Sequence, residues 1–183
     1  MSVKIRGIVQ KFAGLIDTLR YKSDLVKFSD LSSNLEACLI CMPSRLELMR
    51  AASDILPEIA EIFPNREIRI LLTSNVDPQS HDIIKKFVVV KPHSYDLDKF
   101  SLPKKEFIQR VSTGGLAVSV DLDTYPNFFN AVVSLRSGAT VRTAFDKGIG
   151  LPYYNLIVGI PAAEAAPKVS CRAMADILGN FRM

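Results

Sequence analysis

The sequence contains no tryptophan, only two histidines and only three cysteines. Both histidines, His81 and His93, fall in predicted loops, so catalysis by histidine has little support. No Ser-His-Asp order, nucleophile elbow, P-loop or HExxH motif is present. No apolar run approaches the roughly 18 residues that a membrane-spanning helix needs. These absences argue against the common hydrolase, nucleotidase and zinc-protease chemistries, and we predict no cofactor, no metal and no transmembrane segment.

Two of the three cysteines have CxxC spacing, but their surroundings argue against a redox or zinc motif. Cys38 and Cys41 lie inside the apolar run Ala37–Met42, which is typical of a buried strand. Residues three apart on a strand point to opposite faces, so the two thiols diverge. A redox pair would lie at a helix N-terminus, where the thiolate is stabilised. We therefore predict buried, unreactive thiols.

The net charge of +4 is mild and unevenly spread, with basic excesses in residues 1–30 and 85–110. Such patches attract phosphate, anionic lipid or nucleic acid, although ordinary solvated faces look the same. Aromatic side chains do not interleave with the basic ones as a platform for single strands requires, so nucleic acid is not an expected partner. No apolar secretory segment follows the N-terminal charges. We expect a cytoplasmic protein that is at most peripheral to the inner face of the membrane.

Hydrophobic periodicity divides the chain into two parts. Residues 7–27 carry apolar side chains at spacings of three and four, which predicts an amphipathic helix within an N-terminal extension, residues 1–35. This helix packs on the domain, lies on a membrane or provides a surface for self-association. In residues 36–183 strands alternate with helices, which predicts a single doubly wound, Rossmann-like α/β domain with a mostly parallel sheet.

The stretch Ala37–Ser74 predicts a βαβ unit, with a helix over residues 46–62 that Pro57 kinks or restarts. Open α/β sheets bind their ligands at the carboxyl ends of the strands, so the turn Pro43–Glu47 bears on function. This turn contains no glycine, which argues against a dinucleotide.

Two interpretations of that turn stay open. Ser44 and Glu47 have the spacing of a capping box, in which both side chains satisfy the start of the helix. Alternatively, Glu47 acts as a general base and Arg45 contacts an anion.

Two further clusters follow predicted strands. Asp121 and Asp123 point to the same face of the strand Leu116–Leu122, where paired carboxylates bind a metal, share a proton or cap the next helix. A basic cluster near glycines could hold a phosphate; it comprises Arg136, Arg142 and Lys147.

Two stretches of the chain carry a resemblance to a known family. They are CLICMPSRLELMRAASDILPEIAEIFPNREIRILLTS and LAVSVDLDTYPNFFNAVVSLRSGATVRTAFDKGIGLPYYNLIV. Over roughly residues 36–160 the order of elements resembles the N-terminal, acceptor-binding half of family 9 glycosyltransferases, the lipopolysaccharide heptosyltransferases of the GT-B class. The resemblance implies an anionic or phosphorylated sugar acceptor. It also places Glu47 at the position of that family's aspartate, the proposed general base.

Departures from the family pattern bear on activity. Leu46 stands where the family has a glycine, so the close approach of backbone to substrate is lost. The family's nucleotide-sugar site lies on a second Rossmann domain, and a two-domain enzyme needs roughly 300 residues. We therefore expect a non-catalytic binding or accessory protein linked to cell-surface polysaccharide synthesis. Besides Glu47, the residues predicted to bind ligand are Ser44, Arg45, Asp121, Asp123, Arg142 and Lys147.

Two alternatives remain. In the first, the chain is the acceptor-binding subunit of a split glycosyltransferase, completed by a donor-domain protein, with Glu47 as the base. In the second, it is a nucleotide-binding regulatory domain of ordinary Rossmann type, which the glycine-free turn disfavours.

Overall fold

The computed structural model describes residues 14–21, 37–73, 82–159 and 166–180. Its strands are β1 (Ala37–Cys41), β2 (Glu67–Leu71), β3 (Val88–Val90), β4 (Leu116–Asp121), β5 (Val141–Phe145) and β6 (Leu156–Val158). They pair in parallel throughout, in the order β3-β2-β1-β4-β5-β6. This is the strand order of the doubly wound Rossmann fold, so the predicted fold class is confirmed.

Helices cover both faces of this sheet. They are α1 (residues 14–20), α2 (Leu46–Asp54), α3 (Leu56–Ile62), α4 (Lys105–Ser112), α5 (Phe128–Arg136) and α6 (Pro167–Gly179). The side chains of β1 alternate between the two layers: Cys38 and Ile40 pack with α2, α3 and α6, whereas Leu39 and Cys41 pack with α4 and α5. The continuous burial of the central strands β1 and β4 follows from this double cover, whereas the edge strands β3 and β6 are partly exposed.

The βαβ unit forms as its sequence predicts. The helical stretch is interrupted at Ile55, and Pro57 lies in the first turn of α3, where its missing N–H costs no hydrogen bond. Cys38 and Cys41 are buried on opposite faces and form no disulfide, as predicted. Burial raises the pKa of the Cys38 thiol to about 12 and raises that of Cys41 as well.

Helix α1 contacts the domain through a polar side chain in the part that the structure describes. Of the predicted helix 7–27, only residues 14–21 are described, and the remainder lies outside the described residues. Within this segment the apolar Leu15 and Leu19 are exposed, whereas Asp17 is buried. The Asp17 carboxylate accepts hydrogen bonds from Arg136, the closest from Nη2 at 2.9 Å. Within residues 14–21, therefore, the ion pair of Asp17 links α1 to the domain, and the apolar Leu15 and Leu19 do not.

A membrane-spanning segment was not predicted, and among the described helices none is long and apolar enough to cross a bilayer.

Candidate functional site

The carboxyl ends of β1 and β4 lie side by side in the middle of the sheet, with Cys41 opposite Asp121. The chain leaves β1 toward α2 on one face and leaves β4 toward α5 on the other. The two loops therefore leave the sheet toward opposite faces at the point where the strand order reverses. This is the position at which open α/β sheets have their ligand crevice, and it is called the β1/β4 crevice below. The structure thus brings two of the clusters predicted from sequence, residues 43–47 and Asp121/Asp123, to one place.

The carboxylate of Asp123 joins the two loops. Its Oδ2 accepts hydrogen bonds from the backbone N of Ser44 at 3.0 Å, from Ser44 Oγ at 2.9 Å and from Asn127 Nδ2 at 3.1 Å. Its Oδ1 accepts from the backbone N of Tyr125 at 3.1 Å. Asp123 is fully buried. Both of its oxygens are engaged within the chain, so Asp123 positions the crevice loops.

This arrangement corrects the capping-box interpretation of Ser44 and Glu47. Helix α2 begins at Leu46 with Arg45 as its N-cap residue, and no side chain caps it. The Ser44 hydroxyl instead donates to Asp123. The same holds for Asp123 as a cap of the next helix: the N-cap of α5 is Asn127, whose side chain accepts from the backbone N of Asn130.

Asp121 is the centre of a second, deeper set of contacts. Its Oδ2 accepts from Lys147 Nζ at 2.7 Å and from the hydroxyl of Tyr154. Its Oδ1 accepts from Asn130 Nδ2 at 3.1 Å and from the backbone N of Asp123 at 3.0 Å. Lys147 Nζ also donates to the Asp123 carbonyl at 2.9 Å. Burial, followed by the charge of Asp121, raises the pKa of Tyr154 well above its ordinary value. Tyr154 therefore remains a neutral donor to this carboxylate.

The basic residues predicted to bind phosphate lie apart from one another. Lys147 is fully buried against Asp121. Arg142 donates to three backbone carbonyls, those of Ala139, Pro152 and Tyr153, and burial lowers its pKa. Arg136 pairs with Asp17 of α1. In the structure these side chains hold loops and helices together, and only Lys147 lies at the crevice.

The solvent-facing part of the crevice is formed by four residues, two from the loops and two from the first turn of α2. Arg45 stacks its guanidinium over the ring of Tyr125, with Cζ 3.6 Å from the ring centroid. The side chain of Glu47 is 68% exposed, and its Oε1 lies 4.0 Å from Arg45 Nη1. Leu46 is exposed beside them. This surface offers a cation, a carboxylate and an aromatic face to a ligand.

Sequence reasoning missed Tyr125, Tyr154 and Asn130. Tyr125 lies next to Pro126 directly after the strand end, and an aromatic residue at that position is a signal that can be read from sequence. Tyr154 and Asn130 lie 33 and 9 residues from Asp121, and no local pattern indicates that they share its carboxylate.

The carboxylates of Asp121 and Asp123 are the candidate metal ligands of this site. Within the described ranges, no group of three or more His, Cys, Asp or Glu side chains could hold an ion. The two carboxylates already accept eight hydrogen bonds, four each, from donors of the chain itself. Comparisons of the chain with protein-family models, with curated proteins and with solved structures find no match.

Proposed function

We propose that this chain is a binding domain for an anionic sugar, that the β1/β4 crevice is its site, and that the chain carries no transfer chemistry of its own. The observation that carries the proposal is the stacking of Arg45 on Tyr125 at the switch point of the sheet, 3.6 Å from guanidinium to ring centroid. The resemblance to the acceptor-binding half of family 9 glycosyltransferases supports a sugar as the ligand.

The chemistry of this pair suits a sugar that bears a carboxylate or a phosphate. An arginine stacked on an aromatic ring keeps its N–H donors in the guanidinium plane, and that fixed fork matches both anions in bidentate geometry. Stacking also restrains the side chain before the ligand arrives, which lowers the entropy cost of binding. Helix α2 begins beside Arg45 without a side-chain cap, so its first turn adds partial positive charge.

The carboxylates at the crevice argue for binding rather than for catalysis. Asp121 and Asp123 are buried and engaged with donors of the chain itself. Glu47, which the resemblance places at the position of the base, is exposed and its nearest charged partner is Arg45. A general base must be held within hydrogen-bond reach of the substrate hydroxyl, and an exposed glutamate on a helix start lacks such support.

The experiment is a ligand titration of the wild-type chain and two variants. The probes are glucose 1-phosphate, galacturonate, UDP-glucose, AMP and, as a neutral control, glucose. We expect the sugar phosphate or the galacturonate to raise the melting temperature. Arg45→Ala should weaken that binding by about tenfold or more, because a charge-assisted bidentate contact is lost. Arg50→Ala removes the same charge from an exposed position on the same helix and should not weaken binding.

Two outcomes would overturn the proposal. If Arg45→Ala and Arg50→Ala changed the affinity for the anionic sugar by the same factor, the crevice would not be the site. Binding of AMP and UDP-glucose without any binding of the simple anionic sugars would favour the nucleotide-binding regulatory domain instead.

A second candidate, the acceptor-binding subunit of a split glycosyltransferase, is favoured by one observation: Glu47 lies on the same exposed turn as Arg45. Its test is transfer from a nucleotide sugar to a phosphorylated sugar in the presence of a donor-domain chain. This role would be established if Glu47→Gln abolished transfer but left acceptor binding unchanged. The exposed control Glu61→Gln should keep the transfer activity. Binding without transfer would support the non-catalytic domain.

A further inference from the structure

A cavity of about 440 Å³ lies between α1, α4 and the C-terminal residue of α5. Its volume falls within the roughly 300–1,000 Å³ of small-molecule sites. We propose that this cavity binds a small organic dianion of the size of a sugar phosphate, and that the bound dianion fastens α1 to the domain. The site is separate from the β1/β4 crevice and does not depend on the function proposed for that crevice.

The charge of the cavity carries the proposal. Three cationic side chains from three different helices line it: Arg20 from α1, Lys105 from α4 and Arg136 from α5. The one carboxylate among the lining residues is Asp17, which is buried and already accepts from Nε and Nη2 of Arg136. The cavity therefore keeps an excess of two positive charges.

The two charges in excess are available to a ligand. Across the described ranges neither Arg20 nor Lys105 forms an ion pair, and both residues are exposed. Like charges that face one cavity repel each other, and an anion between them turns this repulsion into attraction.

The remaining lining favours an organic molecule over a bare ion. Ile108 of α4, Pro103 before it and the ring of Tyr21 contribute apolar surface to the cavity. Charged groups at one side and apolar surface at another are typical of pockets that fix the orientation of a small molecule. A sugar phosphate or a dicarboxylate combines two negative charges with a body that can cover this apolar surface.

Ligand binding in the cavity should strengthen the attachment of α1 to the domain. Leu15 and Leu19 of α1 point to solvent, and Asp17 holds the helix through Arg136 and the Tyr153 hydroxyl. A dianion between Arg20 and Lys105 adds a second link between α1 and α4. Ligand binding should therefore protect residues 14–21 from proteolysis and hydrogen exchange.

The test uses the whole chain with glucose 6-phosphate, succinate, inorganic phosphate and neutral glucose as probes, followed by calorimetry and by hydrogen exchange of residues 14–21. We expect glucose 6-phosphate or succinate to bind and to slow exchange in α1, and the two probes distinguish a phosphate ester from a dicarboxylate. The double variant Arg20→Ala/Lys105→Ala should weaken binding at least about tenfold. Arg50→Ala/Lys168→Ala removes the same charge from exposed positions on α2 and α6 and should bind as wild type.

Other variants keep the proposal falsifiable. Arg20→Lys/Lys105→Arg retains both charges and should bind within a few-fold of wild type. Equal weakening in the two alanine double variants, unchanged exchange of residues 14–21 on ligand binding, or no binding of any organic dianion would overturn the site. Inorganic phosphate that binds as tightly as both organic probes would overturn the role of the apolar wall and with it the proposal of an organic ligand.

Discussion

Lys147 Nζ lies 2.7 Å from Asp121 Oδ2, and both side chains are fully excluded from solvent. The pair joins the end of β4 to the loop that follows β5. The Tyr154 hydroxyl and the Asn130 amide donate to the same carboxylate, so the buried charge is well satisfied. Such an arrangement is costly to assemble, but it is more costly to break by removing one partner.

Lys147→Met is therefore expected to destabilise the fold by about 3–5 kcal/mol, because it leaves the Asp121 carboxylate buried without its cation. Urea unfolding measures this change. Lys168→Met is the matched control, since Lys168 is exposed and lies 4.0 Å from its nearest carboxylate; it should change stability by less than about 0.5 kcal/mol. Similar stabilities of the two variants would mean that the Lys147 pair is not held as described.

A fall in stability at alkaline pH is expected from five buried groups whose pKa values are raised in the fold, mainly by burial: Cys38, Cys41, Cys171, Tyr153 and Tyr154. In the unfolded chain the thiols ionise near pH 8.5–9 and the tyrosines near pH 10. Between those values and the higher pKa values of the fold, the unfolded state binds fewer protons, so stability falls as pH rises. The free energy of unfolding should be nearly level from pH 7 to pH 8 and should fall by about 4 kcal/mol between pH 9 and pH 10.

Two neighbouring variants test the origin of that fall under reducing conditions. Cys171→Ala removes one titrating group and should reduce the fall by about 1 kcal/mol. Ser170→Ala changes an adjacent buried side chain that does not titrate, so it should shift stability equally at every pH. An unchanged pH dependence in Cys171→Ala would contradict the assignment of the slope to the thiols.

The local parts of this fold could be predicted from sequence. The apolar run at Ala37–Met42 and the helical period after it depend on side-chain spacing alone, and the structure has β1, α2 and α3 there. Pro57 could be interpreted because its missing N–H acts on its own helix. Gly138 follows α5 with a φ of 77°, which glycine adopts without strain, so a glycine just past a helical period is a local sign that the helix ends.

The partners of charged side chains could not be predicted. Lys147 near glycines has the same local sequence signal as an exposed phosphate ligand, whereas the structure buries it against Asp121, 26 residues away. Ser44 matches the spacing of a capping box, but Asp123 of the neighbouring strand end competes for its hydroxyl. Tertiary contacts decide these cases, and spacing along the chain does not report them.

Two variants in α1 distinguish the contribution of the Asp17–Arg136 ion pair to docking from that of the apolar side chains. Asp17→Asn removes the charged acceptor of Arg136 and should weaken docking by about 2 kcal/mol, which is about a thirty-fold increase in hydrogen exchange of residues 14–20. Leu19→Ser changes a side chain that is 78% exposed and should alter exchange little. If Leu19→Ser released the helix as strongly as Asp17→Asn, the apolar stripe would be the true docking surface.

Replacement of Asp123 tests whether its hydrogen bonds position the two crevice loops for ligand binding. Asp123→Ala removes the acceptor of Ser44 N, Ser44 Oγ, Asn127 Nδ2 and Tyr125 N, so it should cost about 1–3 kcal/mol of stability. It should also weaken the binding of an anionic sugar, because the loops that carry Arg45 and Tyr125 lose their common anchor. Ser44→Ala removes a single hydroxyl contact and keeps the backbone bond, so it should cost about 1 kcal/mol and retain binding. Unfolding in urea and calorimetric titration measure the two effects. If a folded Asp123→Ala variant kept full affinity, the Arg45–Tyr125 pair would hold its position without the Asp123 carboxylate. The prediction that this carboxylate positions the crevice loops would then be wrong.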